Sequence, residues 1–358
     1  RPDSRQSIAP MGLSSQGYNG HIFWDTELWM FPTLLVLQPE MAKSCLDYRS
    51  DRLAKAKQKA SIYGYQGAMF PWESDDTGEE ATPTWALTGI FEQHITADVS
   101  IAFWNYFAMT QNQSWLRNEW EVLKQTANFW VSRAVENADG SYSIHNVVGA
   151  DEYAQHVDDN AFTNASAIES LKNTIKAAKI LNEKVNEEWI KVSEKLVIHK
   201  ENGITQNYKG YKGQMIKQAD VNLLAYPLHI ITDKNQIKKD LEYYADKIDK
   251  KDGPAMASGV LSVLYARLGD RDKAYEYFVK SYLPNSRPPF GVFSESANSN
   301  NPYFATGAGA MLQAVIYGFG GVEQTDKGLQ FNKGILPKKW KSLKIIGIGT
   351  DEKTITVN

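Results

Sequence analysis

The chain has little cysteine, no long apolar run and almost no net charge. Cys45 is the only cysteine among 358 residues, which excludes a disulfide within the chain and a metal site built from several cysteines. No segment approaches the ~20 apolar residues that a membrane-spanning helix needs. Lysine and arginine number 39 against 42 aspartate and glutamate, for a formal net charge of -3, so the sequence lacks the basic surface typical of nucleic-acid or membrane binding. We therefore expect a neutral ligand, and we predict neither a metal nor a cofactor.

Acidic, amide and imidazole side chains are concentrated in one segment, residues 149–164, which reads GADEYAQHVDDNAFTN. Asp151 and Glu152 follow apolar neighbours, and such surroundings raise the pKa of a carboxyl group, as a general acid requires. Acids also occur in first helical turns because the helix dipole favours them there. This segment alone therefore leaves both interpretations open.

Two other segments favour chemistry on sugars. Residues 20–30 place acids among aromatic side chains, and residues 291–296 isolate Glu295 in a loop rich in Gly, Pro and Asn. Sugar sites combine aromatic rings, which pack against the apolar face of a sugar, with carboxylates that accept hydrogen bonds from its hydroxyls. Two further carboxylates, on opposite sides of a glycosidic bond, carry out the proton transfers of hydrolysis. Together the three segments indicate a carbohydrate-active enzyme.

Five blocks of sequence, in the same order, resemble glycoside hydrolase family 65. This family contains the phosphorylases of maltose, kojibiose and trehalose together with acid trehalases and other α-glucoside hydrolases. Agreement of five separate blocks is a more specific signal than any one of them, and the resemblance covers most of the chain. The blocks are residues 20–27, 91–98, 151–164, 217–221 and 306–321.

The resemblance implies an all-α fold, the (α/α)6 barrel or helical toroid. Apolar spacing agrees with a run of helices, of which we predict eleven, with the first of the barrel's twelve lying upstream of residue 1. We predict the catalytic domain at residues 1–325, and the alternating tail at 326–358 predicts strands that begin a small C-terminal β domain. The predicted helices lie near 26–38, 43–61, 93–110, 115–136, 161–181, 185–198, 220–230, 235–247, 254–268, 271–282 and 305–317.

The long connections between these helices are the segments that carry the motifs. In a helical toroid, catalytic groups come from loops at one mouth of the barrel, where the backbone leaves helical geometry and approaches a ligand. Loops of this length in a compact domain are usually functional. We therefore expect the site in four loops, residues 62–92, 138–160, 199–219 and 283–304.

The resemblance also implies roles for individual residues. Glu152 matches the family's general acid, which protonates the departing glycosidic oxygen. Trp24 and Asp25 match residues that hold the non-reducing glucose, and Lys217 and Gln218 match further contacts with sugar hydroxyls. Core packing is the alternative for Trp24, and a solvated loop lysine is the alternative for Lys217.

Four more residues near these motifs have weaker signals. Trp72 and Glu73, in a tight Pro-Trp-Glu sequence, suggest a wall of the sugar pocket. His94 and His156 have no second His or Cys at metal-ligand spacing. For both histidines we therefore predict structural hydrogen bonds to neighbouring carboxylates and backbone groups.

Hydrolases and phosphorylases of the family differ in what attacks the anomeric carbon. A phosphorylase must bind a phosphate dianion, and its pattern has paired serines after an acidic turn and a later Gly-x-His segment. Residues 253–257 and 293–296 stand at these places, and both phosphate features are missing. Glu295 instead resembles the general base of the family's hydrolases, which invert the anomeric centre in one displacement. Ser258 and Ser262 still offer hydroxyls to a phosphate.

We therefore predict an inverting glycoside hydrolase that cleaves α-linked glucose disaccharides or oligosaccharides, such as kojibiose or trehalose, and releases β-glucose. One alternative is an inverting phosphorylase that produces β-glucose 1-phosphate. Another is a non-catalytic carbohydrate-binding toroid, against which the retained acid, base and glucose contacts argue.

The expected partners follow from the same resemblance. The family's N-terminal β-sandwich has no counterpart here, so we expect a missing N-terminal domain or a second chain to pack on the barrel, with a homodimer as one option. The chain begins with Arg1 and has no signal-like apolar stretch, so we expect a fragment or a processed chain. A bacterial periplasmic or secreted location is favoured over the cytoplasm.

Overall fold

The protein is built mainly from α-helices, with short antiparallel hairpins between them and at the C-terminal end. A computed structural model describes residues 3–12 and 17–358. The helices are α1 Phe31–Leu37, α2 Pro39–Asp51, α3 Leu53–Ile62, α4 Thr88–Phe91, α5 Ile95–Thr110, α6 Gln113–Asn118, α7 Trp120–Arg133, α8 Ala161–Leu181, α9 Glu187–Lys195, α10 Lys234–Ala245, α11 Met256–Arg267, α12 Arg271–Lys280 and α13 Ala305–Gln313. The strands are β1 Val135–Glu136, β2 Tyr142–Ser143, β3 Lys200–Glu201, β4 Ile204–Thr205, β5 Ser286–Arg287, β6 Val292–Phe293, β7 Val322–Thr325, β8 Gly328–Phe331, β9 Leu343–Ile348 and β10 Lys353–Val357.

Six elements contact one another in a closed ring. The π-helical segment Asp25–Met30 runs directly into α1, and the two together count as one element, which contacts α5 on one side and α13 on the other. Between them the ring continues through α8, the 3-10 turn Val221–Leu224 and α11. α5 is buried on nearly all sides, with only Asn105 and Thr110 partly exposed. A helix buried all round belongs to the interior of a large core.

A second set of helices flanks the ring. α7 and α9 pack against α8, α10 and α12 pack against α11, and α2 packs against α1 and α5. In α9, Trp189 and Val192 are buried, whereas Glu187, Lys191 and Glu194 are exposed. Apolar residues at intervals of three thus form one stripe that faces the ring, as expected for a surface helix. Among the residues described, no helix has the length and apolar character required to cross a membrane.

Most of the helices predicted from the sequence are confirmed, and α8 has the predicted bounds, 161–181. The helix predicted for 43–61 is divided into α2 and α3 at Arg52. The helix predicted for 220–230 is wrong, because only Val221–Leu224 forms a 3-10 turn. Pro227 has no backbone N–H and disfavours the helical conformation of the residue before it. The chain therefore turns, and the Leu228 N–H donates back to the Leu223 carbonyl.

The strands predicted for the tail are confirmed as the antiparallel hairpin of β9 and β10. A second hairpin, of β7 and β8, precedes it, and the sequence pattern does not predict it. Its turn contains residues 326 and 327, next to the predicted domain boundary. The hairpin packs against α5, and the Trp104 Nε1–H donates to Asp326 Oδ1 at 2.9 Å. The division of the chain into two domains stays a prediction.

Candidate active site

Side chains from the sequence motifs line one cavity of about 470 Å³. It receives side chains from the segment before α1, from all four long loops singled out in the sequence, and from α11. All eight residues predicted for the site line it. Another cavity, of about 440 Å³ between α11 and β7, contains none of the eight. The residues that line the first cavity include Tyr18, Trp24, Asp25, Trp72, Glu73, Trp85, Glu152, Gln155, Lys217, Gln218, Met256, Glu295 and Phe304.

Glu152 lies in the loop between β2 and α8 and is paired with a cation. The Lys217 Nζ donates to Glu152 Oε1 at 2.8 Å, and the two side chains are 22% and 26% exposed. Burial disfavours the charge on Lys217, but the Glu152 carboxylate outweighs this effect and raises the lysine pKa. The solvated-lysine alternative is therefore wrong, since Lys217 is held at the cavity by its neighbour.

Asp151 takes the opposite direction from Glu152 and does not line the cavity. Its carboxylate accepts hydrogen bonds from the backbone N–H of Lys217 at 2.7 Å, from the Tyr153 N–H at 3.2 Å and from Asn207 Nδ2 at 3.0 Å. Burial raises the pKa of Asp151 to about 7. Asp151 is therefore the carboxyl group whose pKa is raised by burial, and its hydrogen bonds fix the loop. Glu152 faces the cavity.

Glu295 is held by a tyrosine that the sequence analysis does not single out. The Tyr18 hydroxyl lies 2.7 Å from Oε1 and 2.8 Å from Oε2 of Glu295. Burial raises the pKa of Tyr18, and the nearby carboxylate raises it further, so the phenol stays protonated as a donor. The Glu295 backbone carbonyl accepts from Asn285 Nδ2 and from the Ala255 N–H, each at 2.9 Å. A carboxylate has about four acceptor positions, so Glu295 keeps capacity to accept from a water molecule.

The floor of the cavity is formed by buried residues. Trp24 is 2% exposed and contacts Trp29, Trp72 and His94, so it packs in the core and lines the cavity at once. The Thr306 hydroxyl donates to Asp25 Oδ2 at 2.5 Å. Burial raises the pKa of Asp25 to about 7. This floor combines an aromatic surface with an acceptor for hydroxyl groups.

Gln218 and Glu73 complete the polar lining. The Gln218 amide nitrogen donates to the Ala150 carbonyl at 2.7 Å. Its amide oxygen is buried and has no hydrogen-bond partner among the described residues. Buried polar atoms are nearly always paired, so this oxygen is free to accept from a ligand hydroxyl. Glu73 Oε2 lies 3.0 Å from His21 Nδ1, and burial raises the pKa of this carboxyl group.

The two histidines lie outside the cavity lining, as the prediction of structural roles requires. His94 is fully buried, 2.7 Å from Asp98 Oδ2 and 3.1 Å from Glu92 Oε1. Burial disfavours its charge, but the two carboxylates outweigh this and raise its pKa to about 10. His156 Nδ1 lies 2.8 Å from Asn146 Oδ1. Within the described part of the chain, no group of three or more His, Cys, Asp or Glu side chains is arranged to hold a metal.

The serines considered for phosphate binding also lie elsewhere. Ser262 is fully buried, and its hydroxyl donates to the Ala274 carbonyl at 2.8 Å. Ser258 lines a separate cavity. Neither serine lines the cavity that contains Glu295.

Comparison with known proteins agrees with this geometry. The profile of the glycosyl hydrolase family 65 central catalytic domain matches residues 1–214 and 205–285. The chain belongs to glycoside hydrolase family 65. Kojibiose hydrolases of Flavobacterium johnsoniae and Mucilaginibacter mallensis are 52% and 51% identical to it. Each match covers 100% of this chain and 53% of the relative, so the chain spans about half the length of these relatives.

Among family 65 structures, the fold matches one described as a kojibiose phosphorylase from the human microbiome. The TM-score is 0.83 at 21% sequence identity, and the match covers 99% of this chain and 57% of the other. Because hydrolases and phosphorylases share this fold, the likeness supports the architecture and leaves the attacking group to be argued from the site.

Proposed function

We propose that this chain is the catalytic part of an inverting glycoside hydrolase that removes glucose from kojibiose or a related α-linked disaccharide or oligosaccharide. The observation that carries the proposal is that Glu152 and Glu295, from loops far apart in the sequence, line the same cavity. An inverting enzyme needs two carboxyl groups of this kind, one as acid and one as base, with room between them for a water molecule.

We also propose that the ring of helices is the inner layer of an (α/α)6 barrel. The closed ring of six elements and the helices that flank it fit this architecture. The likeness to the solved structure over nearly the whole chain supports the proposal. In such a barrel, the loops at one end share a single cavity, as the four long loops do here.

The roles in the reaction follow from the contacts of each carboxyl group. Glu152 protonates the glycosidic oxygen as the bond from this oxygen to the anomeric carbon breaks. Glu295 accepts a proton from water, whose oxygen forms the new bond to the anomeric carbon. Lys217 stabilises the carboxylate left on Glu152 after proton transfer, and Tyr18 orients Glu295. On the floor, Trp24 and Asp25 hold the glucose.

Water is favoured over phosphate as the attacking group because of charge. Glu295 brings a carboxylate to the cavity, and Lys217, the lysine among the described residues of its lining, is already paired with Glu152. Two like unit charges ~4 Å apart repel by about 4 kcal/mol at an effective dielectric constant of 20, and a phosphate dianion carries more than one charge. The serines that would offset this repulsion lie outside the cavity. The identity of the chain to kojibiose hydrolases supports the same conclusion.

The test is a product profile for the full-length protein. Kojibiose, trehalose, nigerose and maltose are each incubated with and without phosphate, and proton NMR follows the anomers. We expect cleavage of kojibiose at a rate that does not depend on phosphate, with β-glucose formed before it mutarotates. Formation of β-glucose 1-phosphate as the main product would refute the hydrolase proposal, and an early excess of α-glucose over the anomeric mixture contributed by the leaving glucose would refute inversion.

A further inference from the structure

One large aromatic side chain at the cavity stands out by its exposure. Trp85 lines the cavity, yet its ring is 84% exposed, whereas Trp24 and Trp72 in the same lining are 2% and 5% exposed. The Trp85 ring makes no aromatic contact with another described residue. An indole left in water contributes little to the fold, because burial of apolar surface is what stabilises it. The ring therefore has a free face at the rim of a site proposed to bind sugars.

The loop that carries this indole is fixed by one carboxylate. Glu80 accepts hydrogen bonds from the Lys59 Nζ and, at 2.8 and 3.0 Å, from the backbone N–H groups of Trp72 and Glu73. It also accepts from the hydroxyl of Thr82 at 2.6 Å. The loop is thus attached to the same segment that forms the wall of the cavity. A loop that is already ordered presents the Trp85 ring to a partner with less loss of conformational entropy than a disordered loop would.

The position of the ring relates it to the leaving group. The glucose that is cleaved lies on the buried floor, and Glu152 protonates the oxygen that joins it to the leaving group. The leaving group then extends from Glu152 towards the opening of the cavity. Trp85, Thr88 and Gln155 line the cavity together with Glu152, and all four are exposed or partly exposed, whereas the floor is buried. An aromatic face beside hydroxyl and amide groups is the combination that a neutral sugar ring requires.

We propose that Trp85 is the stacking platform for the leaving-group sugar. It selects α-glucosides whose leaving group is a neutral sugar ring over those with a small leaving group, because a small group cannot reach the indole face. The carboxyl groups of the cavity act against anionic leaving groups in the same place. This inference rests on the hydrolase function proposed above.

The test compares two substrates of the full-length enzyme, kojibiose and α-glucosyl fluoride. The fluoride has the same glucose and a leaving group of one atom. We expect Trp85→Ala to lower kcat/KM for kojibiose by about tenfold, mainly through KM, as loss of a stacking contact predicts. The rate for the fluoride should stay within about twofold of wild type, since no group reaches the indole. Trp85→Phe, which keeps an aromatic face, should recover most of the kojibiose activity.

Phe290→Ala is the matched control, since Phe290 is 85% exposed and does not line the cavity. It should change neither substrate's kinetics. Unchanged kojibiose kinetics in Trp85→Ala, or an equal loss of kcat/KM on both substrates, would refute the role of Trp85 as a stacking platform. Wild-type enzyme that hydrolyses neither substrate would instead refute the proposed function, and this outcome is visible before any variant is made.

Discussion

Substitution of Glu152 and of Glu295 by glutamine distinguishes the proposed general acid from the proposed general base. We expect Glu152→Gln to lower the turnover of kojibiose by about a thousandfold, within the range of roughly 10² to 10⁴ typical of a general acid. The same variant should lose less than about tenfold on α-glucosyl fluoride, since fluoride departs without prior protonation. Glu295→Gln should lose about a thousandfold on both substrates, because both need a deprotonated water.

The structure also sets the stability expected of the acid variant. Glu152 and Lys217 are 26% and 22% exposed, and an ion pair with this access to water contributes under about 1 kcal/mol. Glu152→Gln should therefore shift Tm by no more than about 3 °C. A thermal melt of each variant beside the kinetic assay distinguishes lost chemistry from lost folding.

Two results would refute the assignment of roles. If Glu152→Gln loses the same factor on kojibiose and on α-glucosyl fluoride, this residue is not the acid that protonates the leaving group. If Glu295→Gln keeps kojibiose turnover while its melt is unchanged, the base lies elsewhere. Lys217→Met serves as a control for charge at the cavity, since it removes the cation and leaves both carboxyl groups in place.

Two further predictions concern stability. Burial raises the pKa values of Asp25 and Asp151 from 3.8 to about 7, so the folded protein keeps protons that the unfolded chain loses, and stability falls as pH rises from about 4 to 7. Urea titrations at pH 5 and pH 8 should show a fall that Asp25→Asn reduces by a few kcal/mol, and an equal fall in the variant would contradict the reasoning. Arg49 and Glu27 form a buried pair, each 1% exposed, so Arg49→Met should cost about 3–5 kcal/mol in the free energy of unfolding by leaving a buried charge unpaired. The double change with Glu27→Leu should recover most of this, and a cost below about 1 kcal/mol for the single change would show that the pair is not needed.

Trp24, Asp25, Lys217 and Gln218 were predicted from the resemblance to family 65, whose sequence blocks can be recognised without coordinates. Glu295 had a signal of its own, as a carboxylate isolated in a loop rich in Gly, Pro and Asn. The closing of four loops over one cavity follows from helix order once a helical toroid is expected. Their placement around one cavity was therefore within reach of sequence reasoning.

Residues without a recognisable sequence signal could not be predicted from the sequence. Tyr18 acts on a carboxylate 277 residues away, and a tyrosine between a glycine and an asparagine gives no local sign of that contact. Trp85 follows Thr84 in an ordinary turn, and only its exposure separates it from a core tryptophan. The helix predicted at 220–230 failed because one proline outweighed the apolar spacing around it. The local sequence pattern predicts periodic segments well, but it predicts poorly which distant residues come into contact in the folded chain.

The closed ring of helices makes the proposed active site an interface between distant parts of the chain. Tyr18 meets Glu295 and Asp25 meets Thr306 across separations of 277 and 281 residues. Bringing ends that far apart together costs about 5 kcal/mol in chain entropy, and the contacts that offset this cost are the ones that orient the reacting groups. Enzyme turnover therefore depends on whether these long-range contacts are intact, and not on helix content alone. A sugar bound across this interface should stabilise the ring of helices in proportion to the logarithm of the sugar concentration.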